Sequence, residues 1–263
     1  MEKPKILIYV IVYNNEKHII DVLDSIPIDE IERFSWDYEV VISDDCSQDL
    51  AVKLIEKYLK NLNKKNFKFV AQKRNLGYGG NQKFGFNYAL VNNFDAFVLI
   101  HGDGQYSPLL IPDMIKPIFD SGFDCVLGSR MIKKTDALRG KMPLYKFIGN
   151  IVLTFIQNCL LRQRLSEYHT GLRSYKVSCL KDLPYIFNAD GFPFDSDILI
   201  QLIDQNKKIF EIPIPTYYGT QISNVNVFKY GTMILLNTFF SRLQKLKLVK
   251  FKKFDYKNSK NLL

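Results

Sequence analysis

The stretch Ala96-Phe97-Val98-Leu99-Ile100-His101-Gly102-Asp103-Gly104-Gln105 runs an uncharged apolar segment straight into a glycine-flanked turn. Such a run, with no polar alternation, reads as a strand covered on both faces, as in parallel sheets packed between helices. The turn carries His101, Asp103 and Gln105 at alternate positions, so their side chains can share one side. Oxygen donors with an open approach suit Mg²⁺ or Mn²⁺. An Asp-Gly turn by itself is common in loops, so the segment gains meaning only from its surroundings.

Outward from it, strands are expected at Lys5–Tyr13, Tyr38–Asp44, Phe67–Gln72 and Cys125–Gly128, with helically spaced runs between them. That rhythm predicts an α/β fold: a Rossmann-like, mainly parallel central sheet with helices on both faces, its ligands gathered at the carboxyl ends of the strands. Polar residues stand at each of those ends: Tyr13, Asn14 and Glu16; Asp44 and Asp45; Lys73, Arg74 and Asn75; Asp103 and Gln105; Ser129 and Arg130. After Gly140 the pattern predicts a helix over Pro143–Leu161, a strand near Leu172–Val177, a helix over Asp195–Gln205 and a strand at Ile209–Pro215. No repeat or Gly/Ser linker divides the chain. It reads as a catalytic domain over 1–225 followed by an amphipathic helix and basic tail over 226–263, facing a membrane.

The 263 residues, 47% hydrophobic, suffice for a sizeable core. The net charge of +9 is uneven: between Arg242 and Lys260 only Asp255 opposes eight Lys or Arg. An anionic partner follows, a membrane surface rather than nucleic acid, since no nucleic-acid motif accompanies the charge. Cys46, Cys125, Cys159 and Cys179 are widely spaced, which suits packing in a reducing cytosol. The run Ile6–Val12 is too short for a signal peptide and leads to no small-residue cleavage site. The uncharged stretches Phe147–Leu161 and Tyr230–Ser241 fall short of the roughly 20 residues of a membrane span.

Asp44-Asp45-Cys46-Ser47-Gln48-Asp49 crowds three carboxylates at a strand end; Ser47 or Asp49 can cap the next helix, and Asp44 or Asp45 can meet a nucleoside. Lys73 to Asn81 reads either as a glycine-rich anion loop opening a helix or as a turn with close helix packing, and Gly79 lies within it. Its Gly-x-Gly-Gly pattern follows the third strand, which argues against a dinucleotide site. Arg130, Arg139, Lys146 and Arg173 surround the long apolar helix and suit a lipid phosphate held at an interface. Glu167 and Asp195 are the remaining carboxylates placed to act.

Taken in order, these segments resemble family-2 glycosyltransferases of the GT-A fold, in the branch of dolichol-phosphate mannose synthase and polyprenyl-phosphate glycosyltransferases. Tyr13-Asn14-Asn15-Glu16 resembles the family's first nucleotide contact, with one extra Asn. Asp44 to Asp49 resembles its Asp-Asp-Gly-Ser-x-x-Asp motif, with Cys46 for glycine and one residue fewer. Asn75 to Gly79, Gly128-Ser129-Arg130, Glu167 to Arg173 (Glu for the usual Asp) and Glu211-Ile212-Pro213-Ile214 match further strings. The metal motif, commonly Asp-x-Asp-x-Gln, has His101 in its first place.

The resemblance implies inverting transfer of a hexose from a UDP- or GDP-sugar. Donor contacts would come from Tyr13, Asn14, Glu16, Asp44, Asp45, Lys73, Arg74, Asn75, Gly79 and Asp103. Asp103, Gln105 and His101 would hold Mg²⁺ or Mn²⁺, and the missing carboxylate favours Mn²⁺. Arg130, Arg139, Lys146 and Arg173 would receive a lipid phosphate at the cytoplasmic face of a membrane. For a saccharide hydroxyl, Glu167 or Asp195 would serve as base. A non-catalytic binding module is the rival of another class.

Overall fold

The computed structural model of the chain describes residues 3–62, 64–216 and 227–256. Its strands are β1 (Lys5–Val12), β2 (Asp37–Asp44), β3 (Phe67–Ala71), β4 (Ala96–His101), β5 (Cys125–Ser129), β6 (Arg173–Lys176) and β7 (Ile209–Pro213). Among the described residues they form one seven-stranded sheet in the order β3-β2-β1-β4-β6-β5-β7. β6 runs antiparallel to β4 and β5, and every other pairing is parallel. The mainly parallel sheet expected from the sequence is present.

The helices are α1 (Ile19–Asp24), α2 (Ile28–Arg33), α3 (Ala51–Leu62), α4 (Tyr78–Val91), α5 (Ile111–Asp120), α6 (Lys134–Arg139), α7 (Leu144–Leu161), α8 (Val177–Leu180), α9 (Phe194–Asp204) and α10 (Val227–Lys245). Successive strand side chains point to opposite faces, and β1 shows why both must be covered. Ile6, Ile8, Val10 and Val12 pack with α1, α2, α3 and α5, whereas Leu7 and Tyr9 pack with α4, α8 and α9. Strands buried on two sides have no polar alternation, so Lys5–Val12 reads as one apolar run.

α7 inverts the usual amphipathic pattern. Its buried residues are Asn150, Thr154, Gln157 and Leu161, a stripe at helical spacing. Asn150 donates to Glu167 Oε1 at 2.8 Å, and Gln157 donates to Ser196 at 3.2 Å and Thr238 at 3.1 Å. Leu144, Tyr145, Ile148, Val152 and Phe155 face outward, Phe155 at 68% exposure. By length and composition α7 is apolar enough to cross a membrane, but its polar stripe is hydrogen-bonded to the rest of the domain.

The expected boundary at 225–226 and the basic end from Lys257 lie outside the described residues. Between them the chain folds onto the core. α10 packs against α7 and α9, Arg242 pairs with Asp204, and Lys253 Nζ reaches Asp197 Oδ1 at 3.0 Å. Phe254 joins the cluster around α4 and α9.

Candidate active site

The β1 and β2 ends are stitched together by backbone-to-side-chain bonds. Asn14, in a left-handed conformation at φ 53°, donates its N–H to Ser47 Oγ at 2.8 Å and accepts from Gln48 N at 2.8 Å. Glu16 accepts the Leu50 N–H at 3.0 Å and donates its own N–H to Asp49 at 2.8 Å. Asp49, rather than Ser47, takes the first helical N–H of α3, from Ala51 at 3.0 Å. Asp44 accepts from both the N–H and the hydroxyl of Ser47. Tyr13 beyond β1 and Lys73, Arg74 and Asn75 beyond β3 are exposed.

Asp45 crosses to the glycine-rich loop, where its oxygens accept Leu76 N at 2.7 Å and Gly77 N at 2.9 Å. Burial raises its carboxyl above the usual range; the two N–H donors oppose the rise and Asp44 adds to it. The expected display of free N–H groups to an anion is not what this loop does. Gly79 and Gly80 donate to the Asp190 carbonyl at 2.6 and 3.1 Å. A Cβ on Gly79 would come within 2.3 Å of the Ala189 carbonyl oxygen. Of the two readings of this loop, close packing is the one realised: the glycines let α4 dock against the segment before α9.

At the β4 end, Asp103 Oδ1 accepts the N–H of Gln105 at 2.9 Å, while Oδ2 accepts no hydrogen bond among the described residues. His101 Nε2 lies 3.3 Å from the Gly171 carbonyl and 3.4 Å from the Tyr78 hydroxyl. A carbonyl only accepts, so the Gly171 bond puts the proton on Nε2 and leaves Nδ1 as the lone-pair nitrogen. Gln105 lines a cleft of about 390 Å³ with His18, Asp21 and Ser25. Among the described residues no three His, Cys, Asp or Glu side chains converge as a metal cage. A carboxylate, an imidazole nitrogen and an amide oxygen are donor types that suit a cation held chiefly by substrate phosphates.

Asp195, at the start of α9, accepts from Tyr78 Oη at 2.8 Å and from Gln82 Nε2 at 3.1 Å. Burial, with Asp195 beside it, raises the Tyr78 hydroxyl well above its ordinary range, so it stays a donor. Neither Tyr78 nor Gln82 stands out in the sequence: a tyrosine among glycines reads as packing. Their spacing of one helical turn was the available signal.

The β5 end supplies cations. Arg130 donates its N–H to Glu167 Oε2 at 2.8 Å and Nε to Oε1 at 3.1 Å, and its Nη2 pairs with the same carboxylate and with the His169 carbonyl at 2.7 Å. Glu167 is completely buried; burial alone would raise its carboxyl, but Arg130 and Asn150 hold it below the usual range. A locked, low-pKa carboxylate is a poor base, so the structure makes Glu167 the anchor of Arg130. Burial, and secondly the charge of neighbouring Arg130, lower the Lys146 ammonium below its ordinary range.

Arg139 and Arg173 are not part of that pair. Arg139 is 83% exposed beside Asp136, on a groove of about 540 Å³ that Lys133 and Thr216 also line. Arg173, expected at the acceptor phosphate, is completely buried: Nε donates to Thr170 O at 2.8 Å, Nη1 to Asp195 O at 2.6 Å and Nη2 to Tyr168 O at 2.9 Å. At the first position of β6 this side chain lies inside the domain, where it ties three backbone carbonyls together.

His169 has both ring nitrogens buried without a partner among the described residues, and burial lowers its pKa to about 4. An unfolded histidine, near 6.5, binds its proton across the interval between these values, so stability rises with pH there. Urea midpoints are expected to fall as the pH drops from about 6.5 to about 4, and His169→Phe should flatten that slope.

Comparison with known proteins agrees with this geometry. Residues 7–183 match the family described as Glycosyl transferase family 2. The chain is 32% identical over 257 residues to a UDP-N-acetylglucosamine–dolichyl-phosphate N-acetylglucosaminyltransferase of Methanococcus voltae, covering 93% of this chain and 97% of that one. It is 26% identical over 218 residues to an uncharacterised protein of Methanocaldococcus jannaschii, covering 83% and 84% respectively. Glucosyl-3-phosphoglycerate synthase from Mycobacterium tuberculosis, solved with Mn²⁺, UDP and glucosyl-3-phosphoglycerate, superposes with a TM-score of 0.62 at 17% identity, over 91% of this chain and 80% of that one. That likeness shows a GT-A fold. With two thirds of its length inside the family match and its loaded strand ends in the family's order, the chain belongs to glycosyl transferase family 2 and is a glycosyltransferase acting on nucleotide-sugars.

Proposed function

We propose that the protein transfers a hexose from a UDP- or GDP-linked donor to the phosphate of a polyprenyl or dolichyl lipid, with inversion, at the cytoplasmic face of a membrane. The observation that carries this reading is the Arg130–Lys146 pair at the root of α7. Arg130 is held in place by Glu167 and the His169 carbonyl, and Lys146 stands close enough to feel its charge, so the two present a fixed basic edge that suits a phosphate. The same helix turns an apolar face outward, which suits an interface where lipid tails replace water. Met233, Leu236 and Phe239 of α10 and, beyond it, Leu246 and Leu248 add exposed apolar groups, with Lys245 and Lys250 beside them. The transfer to dolichyl phosphate named for the Methanococcus voltae relative supports the same acceptor class.

A lipid phosphate is already a nucleophile. Its oxygen forms a bond to the anomeric carbon, the bond from that carbon to the diphosphate oxygen breaks, and the nucleoside diphosphate departs, so no strong base is needed. Arg130, fixed by Glu167, and Lys146 orient the attacking phosphate. Tyr13, Asn14, Glu16, Asp44, Asp45, Lys73, Arg74 and Asn75 receive the nucleoside. Asp103, with His101 Nδ1 and Gln105, would hold Mn²⁺ or Mg²⁺ on the donor diphosphate. When bound, such an ion offsets the charge of the leaving group.

A saccharide hydroxyl is the second acceptor reading, favoured by one observation: the Asp195 carboxylate is held in place by Tyr78 and Gln82. The deciding experiment offers UDP- and GDP-hexoses with Mn²⁺ to a short polyprenyl phosphate and to simple saccharides, with product detection. Transfer to the lipid phosphate is expected, and Lys146→Ala should raise its KM by about 10- to 100-fold while sparing donor hydrolysis. Transfer to saccharides alone would overturn the lipid reading.

A further inference from the structure

Both carboxylate oxygens of Asp195 are gripped from a single turn of α4. Tyr78 Oη donates to Oδ2 at 2.8 Å and Gln82 Nε2 to Oδ1 at 3.1 Å, from positions one turn apart on one helix face. The start of α4 is itself fixed, because Asp45 takes the N–H groups of Leu76 and Gly77 and the Asp190 carbonyl takes those of Gly79 and Gly80. Gln82 Oε1 is buried with no partner among the described residues. The amide is thus oriented toward Asp195 although its own acceptor goes unsatisfied, an arrangement that stability alone disfavours. Arg173 Nε, 4.0 Å from Asp195 Oδ2, balances the charge from below.

Each oxygen of Asp195 keeps a second lone pair. The carboxylate repels the donor diphosphate and a lipid phosphate alike, so among the reactants only hydroxyl groups can donate to it. With a phosphate acceptor those hydroxyls belong to the donor sugar. The position agrees: the Tyr78 hydroxyl that holds Asp195 is also 3.4 Å from His101 Nε2, at the strand end that carries Asp103.

Building on the transferase reading above, we propose that Tyr78 and Gln82 are positioning residues that set Asp195 to accept a hydrogen bond from a hydroxyl of the donor hexose. The donor loop and the sugar contact thereby form one rigid unit, joined through the first turn of α4.

Tyr78→Phe removes the hydroxyl and keeps the ring contacts with Phe192 and His101. Calorimetric binding in Mn²⁺ compares the intact nucleotide-sugar with the bare nucleoside diphosphate, UDP or GDP to match the donor. Steady-state rates are measured alongside. The variant is expected to lose about 10- to 100-fold in kcat/KM and to bind the intact donor more weakly, while its affinity for the nucleoside diphosphate stays at the wild-type value. Asp195→Asn should show the same selective loss, and the double variant should be no worse than Asp195→Asn alone. Wild-type kcat/KM in Tyr78→Phe, a parallel loss of nucleoside diphosphate binding, or additive losses in the double variant would overturn the proposal. Donor binding by the wild-type protein separates the failures: its absence sinks the transferase reading, whereas its presence with an indifferent Tyr78→Phe sinks only the positioning role.

Discussion

Asp103→Ala is expected to lower turnover by about 100- to 1,000-fold, the usual effect of removing one preorganised electrostatic contact at a departing charge. The fold should survive. Asp103 is only partly buried, and its sole hydrogen bond among the described residues is to the N–H of Gln105 within the same turn. A carboxylate held for stability would have buried partners, as Glu167 does; Asp103 Oδ2 has none among the described residues. Circular dichroism and thermal melting should match the wild type while product formation collapses. Near-normal turnover in the variant would remove the metal reading of the whole turn, because His101 and Gln105 bring no charge of their own.

Arg173→Met should act in the opposite way, on stability before chemistry. The guanidinium is completely buried and its three nitrogens each satisfy a different backbone carbonyl, on Thr170, Asp195 and Tyr168. Methionine fills much of the volume but leaves three acceptors and the Asp195 carboxylate without their cation. Removing one partner from a buried charged network costs about 3–5 kcal/mol, a large share of the 5–15 kcal/mol that holds a typical domain together. The urea midpoint should fall accordingly. Arg173→Lys should rescue little, since an ammonium cannot reproduce the planar fork. If Arg173 instead received the acceptor phosphate, the variant would melt normally and show a raised acceptor KM.

These two residues show where linear reading succeeds. Asp103 stands just past the end of a strand whose apolar run is local, and its turn is local too, so its place beyond β4 was legible. Arg173 lies in an equally suggestive string, but its burial depends on β6 being inserted between β4 and β5, which nothing within four residues records. The glycine-rich loop fails for a similar reason. A row of N–H groups looks ready for an anion until the Asp190 carbonyl, far along the chain, is found to occupy two of them.

From its own residues the sequence determined the mainly parallel sheet, the covering of both its faces and the loaded carboxyl ends of five strands. These properties follow from periodicity and from side chains adjacent along the chain. The resemblance of its motifs pointed to the family. Only the tertiary structure decided what each polar group spends its hydrogen bonds on. Tyr78 and Asp195 are 117 positions apart, and Arg130 and Glu167 are 37 apart. A buried donor or acceptor must be satisfied by whatever the fold brings near it. The same arginine can therefore serve a phosphate or three carbonyls, and only packing decides between them.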